Sequence, residues 1–246
     1  MRRVLLVATV LLAGGTANAG RTFYGWLYGT EVMPERGAEI QSFVAEQNGQ
    51  LTPASKDETD WWLAPAIGIN DQLELLLPVE VAWIDVYDQG PRTTLSNFGA
   101  ELRYRFVTSD LEDRPKFVPL VRVAVERLVT DVHGQYQPEI DLVGSYDAGR
   151  VQMLVDLGAI ADLGGGQPQH YEAHPGAGIS VLAVGDVRFG AEVFAEISLD
   201  NNGDGSWAAA GPNVAWSHGR TWLSAAYGIG IYHIRDAPKI NWGIAF

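Results

Sequence analysis

Charged residues recur at alternate positions along this chain, and their types allow two kinds of chemistry. Glu74, Glu80, Glu101, Arg103, Arg105, Arg122 and Glu126 form one set; Glu139, Asp141, Asp156, Arg188, Glu192 and Glu196 continue it. Arginine forks pair well with carboxylates, so facing residues would neutralise one another across neighbouring strands and fill an enclosed space. The same groups, if wetted, would line a path that selects solutes by charge. The excess of acids would then favour cations or neutral solutes. Structural pairing is the expected main role, because the interior of a barrel of this size is narrow enough for side chains to fill.

Three other constellations are weaker. Asp200, Asn202, Asp204 and Gly205 match the start of a calcium loop, but Gly211 stands where the bidentate Glu is needed, so the segment reads as a turn. His170 and His174 flank Glu172 at a spacing that could share a metal on a helix, yet Pro168 and three glycines precede them. Ser217 and His218 are neighbours, which point apart on a strand, and no G-x-S-x-G motif occurs. No metal, no cofactor and no catalytic residue is expected, and the chain does not read as an enzyme.

The elements that must position these charges are strands. Phe98, Ala100, Leu102, Tyr104 and Phe106 share one face of residues 95–107, and Asn97, Gly99, Glu101, Arg103 and Arg105 share the other. A helix would scatter the charges around its circumference; a strand separates them. The pattern repeats in 72–84, 117–129, 137–146, 151–162 and 187–198. Weaker strands are expected near 37–47, 58–69, 173–184, 206–217, 220–233 and 238–246. The fold class is therefore all-β: a closed antiparallel up-and-down transmembrane β-barrel of about twelve strands.

Connection lengths support this reading. Tight turns are expected at Asn70-Asp71, Ala148-Gly149, Gly185-Asp186 and His218-Gly219. Longer polar loops fall between them, near 48–57, 88–94, 131–136, 163–172, 200–205 and 234–237. Residues 109–115 break the rule, being tight by position but long. Trp61, Trp83 and Tyr87 would form one aromatic rim; Phe106, Phe117, Tyr146, Phe189, Trp216 and Trp222 would form the other, periplasmic one.

The N-terminus sets the compartment. Arg2 and Arg3 precede an apolar run, Val4 to Leu12, and Ala17-Asn18-Ala19 fits a signal peptidase site. Residues 1–19 read as a signal peptide, 20–36 as an N-terminal periplasmic lead-in, and 37–246 as the barrel. The net charge of −13 excludes nucleic acid as a partner. With no cysteine, a secreted chain must be held by packing or closed hydrogen-bond ladders.

Ile240, Trp242, Ile244 and Phe246 alternate up to the last residue. This resembles the terminal strand of bacterial outer-membrane proteins, and the resemblance implies that Trp242, Ile244 and Phe246 are read by the barrel assembly machinery. It also implies a bacterial outer-membrane location in contact with outer-membrane lipid. The run Gly29-Thr30-Glu31-Val32-Met33-Pro34-Glu35-Arg36-Gly37-Ala38-Glu39-Ile40 is similar to the start of a narrower family, the outer-membrane component of a meta-pathway of phenol degradation. That resemblance implies passage of small aromatic or apolar compounds. The expected function is an outer-membrane channel or transporter for small solutes. The alternative is a non-conducting structural or interaction barrel with a plugged polar lumen, and a barrel-embedded hydrolase is third.

Overall fold

A computed structural model describes residues 22–51, 56–87, 90–108, 116–129, 134–166, 168–200 and 205–246. The proposed signal peptide, Asn202 and Asp204 lie outside these residues. Thirteen strands form one antiparallel sheet: β1 (Ala38–Gln50), β2 (Lys56–Asn70), β3 (Leu73–Leu76), β4 (Val79–Val86), β5 (Gly90–Arg105), β6 (Phe117–Leu128) and β7 (Gln135–Ala148) come first. They are followed by β8 (Val151–Gly164), β9 (His170–Val184), β10 (Val187–Ser198), β11 (Trp207–His218), β12 (Thr221–Tyr232) and β13 (Asp236–Ala245). β3 and β4 are one stave interrupted at Leu77-Pro78, and both pair with β2 and β5. Proline has no N–H to give to the ladder, which explains the break. The barrel thus has twelve staves.

β1 closes onto β13 from Glu39↔Ala245 to Asn48↔Asp236, and the Phe246 amide donates to the Ala38 carbonyl at 2.9 Å. Closure leaves no free edge, so every stave finds partners on both sides. The start of β1, the end of β13 and the tight turns lie at one end, here the turn end, as does the β5–β6 link; the other connections lie at the opposite end, the loop end. Gly149, Gly185 and Gly219 sit at the tight turns with φ of 66°, 55° and 58°, where a side chain would be strained.

The alternation sorts side chains as the sequence implies. Leu102, Val123, Ile140, Val155, Ile179, Val193 and Leu223 are exposed on the outer wall, and their strand neighbours point inward. Phe106, Phe117, Phe189 and Trp216 are exposed near the turn end, and Trp61, Trp83 and Tyr87 near the loop end. Trp222 corrects the expected rim: only 6 % exposed, it faces inward, and its indole N–H donates to Glu39.

The sequence reading makes 20–36 a periplasmic entry segment ahead of the barrel. Residues 22–36 lie within the lumen, where Tyr24, Leu27, Val32 and Met33 are buried against the inner wall. The segment is unusually apolar for a solvated leader, and the barrel interior is where that surface is removed from water.

Candidate functional site

The internal segment rises from the turn end and folds back. Beside the turn end, the Arg36 amide donates to the Gly68 carbonyl at 3.1 Å and the Glu35 amide to Asp71 at 3.0 Å. Further in, the Thr30 and Ser145 hydroxyls are 2.7 Å apart. Tyr28 lies at mid-barrel, and the Trp26 indole reaches the Ala237 carbonyl at 2.9 Å, next to a loop-end connection. The chain then returns: the Tyr24 hydroxyl donates to the Gln152 carbonyl at 3.1 Å, and the Thr22 hydroxyl closes the bend on the Leu27 carbonyl at 3.1 Å.

Such irregular backbone cannot satisfy its own N–H groups, and inside a barrel they need partners from the wall. Lumen carboxylates supply them. Glu192 accepts from the Gly25 and Trp26 amides at 3.1 Å, Asp156 from the Tyr28 amide at 2.9 Å, and Glu74 from the Met33 amide at 2.6 Å. Asn241 and Ser224 donate to the Gly25 and Tyr24 carbonyls, each at 2.9 Å. Three acids expected to offset arginines therefore hold a plug in part or whole. Gly176 and Gly178 make room for it: a Cβ on either would strike Leu27 or Tyr24.

A second cluster is ionic. Arg103 and Arg122 face each other directly across β5 and β6. Glu101 resolves the repulsion by bridging them, with oxygens 2.5 Å from Arg103 Nε and 2.8 Å from an Arg122 nitrogen. Arg122 also meets Glu139 at 2.7 Å and Asp141 at 2.6 Å, and Arg103 meets Glu74 at 3.5 Å. The Tyr28 ring of the plug lies 4.0 Å from the Arg122 guanidinium carbon, which adds a cation–π contact.

The other sequence-selected charges do not join this cluster. Arg105 turns to Glu31 of the plug at 3.2 Å and to the Asp71 carbonyl at 3.0 Å. Arg188 donates to Ser180 at 2.9 Å and lies over Phe23, 4.2 Å from the ring centre. Glu196 accepts from the Trp207 indole at 2.7 Å, and Glu80 from Asn97 at 3.0 Å. Glu126 faces the loop-end cavity. Ile244 and Phe246 point outward on β13, with Trp242 half-buried on the same face.

Above the plug lies a cavity of about 260 Å³. Its walls carry Asp60, Glu80, Glu126, Glu139, Glu172 and Glu196 together with Arg122 and His174; Trp26, Tyr28, Phe43, Trp62 and Lys239 form its floor. A gap of about 50 Å³ continues between the plug and the wall, past Gln41, Ser42, Arg103, Trp222 and Asn241. Trp26, Tyr28, Phe43, Trp62 and Lys239 border both spaces and so form the constriction between them. Phe43 stacks on Trp62 at 5.2 Å, and Lys239 Nζ lies 4.0 Å from the Phe43 ring centre and 4.8 Å from that of Trp26. Sequence reading missed these five floor residues. Lys239 left one signal: it is the lone cation among the strand positions of 236–245.

The histidine pair is held by acids. His170 meets Glu172 and Asp200, both at 2.7 Å, and His174 meets Glu172 at 3.4 Å. Among the described residues no group of three or more such side chains could hold a metal ion.

No family model and no curated protein matches the chain. Solved structures do. An outer-membrane channel from Pseudomonas putida F1 aligns with a TM-score of 0.61 at 10 % identity, over 88 % of this chain and 98 % of that one. The β domain of the Bordetella autotransporter BrkA aligns with a TM-score of 0.56 at 11 % identity, over 85 % and 99 %. The translocator domain of the autotransporter NalP from Neisseria meningitidis gives 0.51 at 10 % identity, over 85 % and 87 %. The fold of this chain is that of the bacterial outer-membrane β-barrels.

Proposed function

We propose that the chain is an outer-membrane channel for small solutes, closed at rest by its own residues 22–36. The turn end then faces the periplasm and the loop end the exterior. The observation that carries this reading is the continuity of space: a polar loop-end cavity narrows at five shared side chains and resumes beside the plug. A barrel meant only to be solid would have no need of that cavity. Likeness of fold to a Pseudomonas outer-membrane channel supports the general role. Export by a signal peptide and recognition of Trp242, Ile244 and Phe246 by the assembly machinery belong to the same reading, as does transport without catalysis.

Passage of aromatic compounds is supported by the ring faces of Trp26, Phe43 and Trp62 at the constriction, together with the resemblance of 29–40 to the phenol-pathway family. The non-conducting reading is favoured by one observation of its own: the plug is tied to the wall along its whole length by buried hydrogen bonds. Planar-bilayer recordings and liposome uptake of phenol with the refolded protein separate the two. Small, rare openings and measurable uptake are expected. Absence of both conductance and uptake would remove the channel reading.

A further inference from the structure

The loop-end cavity has more specific chemistry than a wet passage requires. Its aromatic floor is already complementary to an ammonium group, since Lys239 Nζ lies over Phe43 and Trp26 and makes no ion pair within 4.0 Å. Cation–π attraction strengthens where water is excluded. One wall carries Asp60, Glu80 and Glu126 on β2, β4 and β6, beside Asn97 on β5.

Glu126 is the decisive residue. It is 9 % exposed and lines the cavity, yet among the described residues neither a hydrogen bond nor an ion pair engages its carboxylate. Asn97, also buried, donates to Glu80 but leaves its Oδ1 without a partner. A buried carboxylate without a partner is costly, and elsewhere in this lumen carboxylates are matched by arginine or amide donors. A cation would supply such a partner. A metal ion does not fit, because no three acids or histidines among the described residues converge closely enough. The space of about 260 Å³ suits a small single-ring molecule rather than a drug-sized one.

We infer that the loop-end cavity is a binding site for a small organic ammonium ion with an aromatic or apolar body: its charge is held between Glu126 and Asp60, and its body rests on the Phe43, Trp62 and Trp26 floor. The inference deepens the channel reading and rests on it for the solute's route into the cavity. Binding itself is measurable without transport.

The test is calorimetric titration of the full-length refolded protein, in a non-ionic detergent, with benzylammonium, benzyl alcohol and benzoate. Benzylammonium should bind about tenfold more tightly than benzyl alcohol, and benzoate more weakly than both. Glu126→Gln and Asp60→Asn should each lower benzylammonium affinity about fivefold while leaving benzyl alcohol binding unchanged. Both variants remove unpaired charges, so the heat-modifiable gel shift should be retained. Equal affinity for the three probes, or unchanged benzylammonium affinity in both variants, would overturn the site. Charge-selective binding without uptake into liposomes would uphold the site and remove the channel; uptake without charge preference in binding would do the reverse.

Discussion

The two ends of the lumen are built from the same residue types and behave differently. Toward the turn end and middle, Glu74, Glu101, Glu139, Asp141, Asp156 and Glu192 each find an arginine or a plug amide. Toward the loop end, Glu126 finds neither, and an aromatic floor with a lysine faces an open cavity. The contrast shows that acid content alone says little about a lumen. What matters is whether each carboxylate is matched: a matched acid is part of the structure, and an unmatched one is part of a site. The plug divides the two regimes, since Tyr28 and Trp26 seal the matched half and form the floor of the other.

The sharpest way to break this comparison is Arg122→Ala. The change leaves Glu101, Glu139 and Asp141 facing one another without their shared cation. In a dry cluster this should cost about 3–5 kcal/mol. Urea unfolding in lipid vesicles, followed by heat-modifiable mobility, would read it. A cost under about 1 kcal/mol would mean that the lower half is as wet as the upper.

Next in size is the outer wall. Val123, one residue from Arg122, is exposed on the opposite face. Val123→Arg should cost about 2–4 kcal/mol if it lies near mid-bilayer. Tolerance equal to that of an inward substitution would reverse the assigned phase of β6.

Glu192→Ala tests the plug. The change removes the acceptor for the Gly25 and Trp26 amides, a loss of about 2 kcal/mol for hydrogen bonds to a charged group. Bilayer recordings should show more frequent openings, and residues 22–27 should become sensitive to protease from the periplasmic side. Unchanged openings would favour the non-conducting reading.

The smallest effect on stability belongs to Glu126→Gln. With no ion pair to break, the stability change should stay within about 0.5 kcal/mol. The reversal potential should nevertheless move away from cation preference, as the loop-end field weakens. A large destabilisation here would show that Glu126 is matched after all, and the contrast between the halves would collapse.

Much of the wall was legible in the sequence because it depends on a period of two and on turn residues. The inward set Asn97, Glu101, Arg103 and Arg105 and the outward set Phe98, Leu102, Tyr104 and Phe106 emerge from alternation alone, and the register Arg103↔Arg122 agrees with the expected pairing of β5 and β6. Individual partners were not legible. Arg105 reaches Glu31 of the plug as well as the Asp71 carbonyl, and Glu80 pairs with an amide. Strand periodicity assigns a face, whereas the identity of a partner depends on height, register and what else enters the lumen. Trp222 lies at the expected end but on the other face of the wall for a related reason: an aromatic near a strand end suits either side of the wall until its phase is known.

By itself the sequence determined the membrane-type barrel, its stave order and the side to which most residues of its clearly alternating strands point. These follow from local rules: pleat, turn chemistry and the need to satisfy every backbone group in lipid. Only the tertiary structure decided that residues 22–36 fold back into the lumen and that Glu74, Asp156 and Glu192 hold them there. It also decided that Glu126 is left facing a cavity over an aromatic floor. Those outcomes rest on contacts between residues 41 to 167 positions apart, from Met33 with Glu74 to Gly25 with Glu192. No local pattern encodes such contacts; they exist only once the barrel has closed and set the width of the space inside.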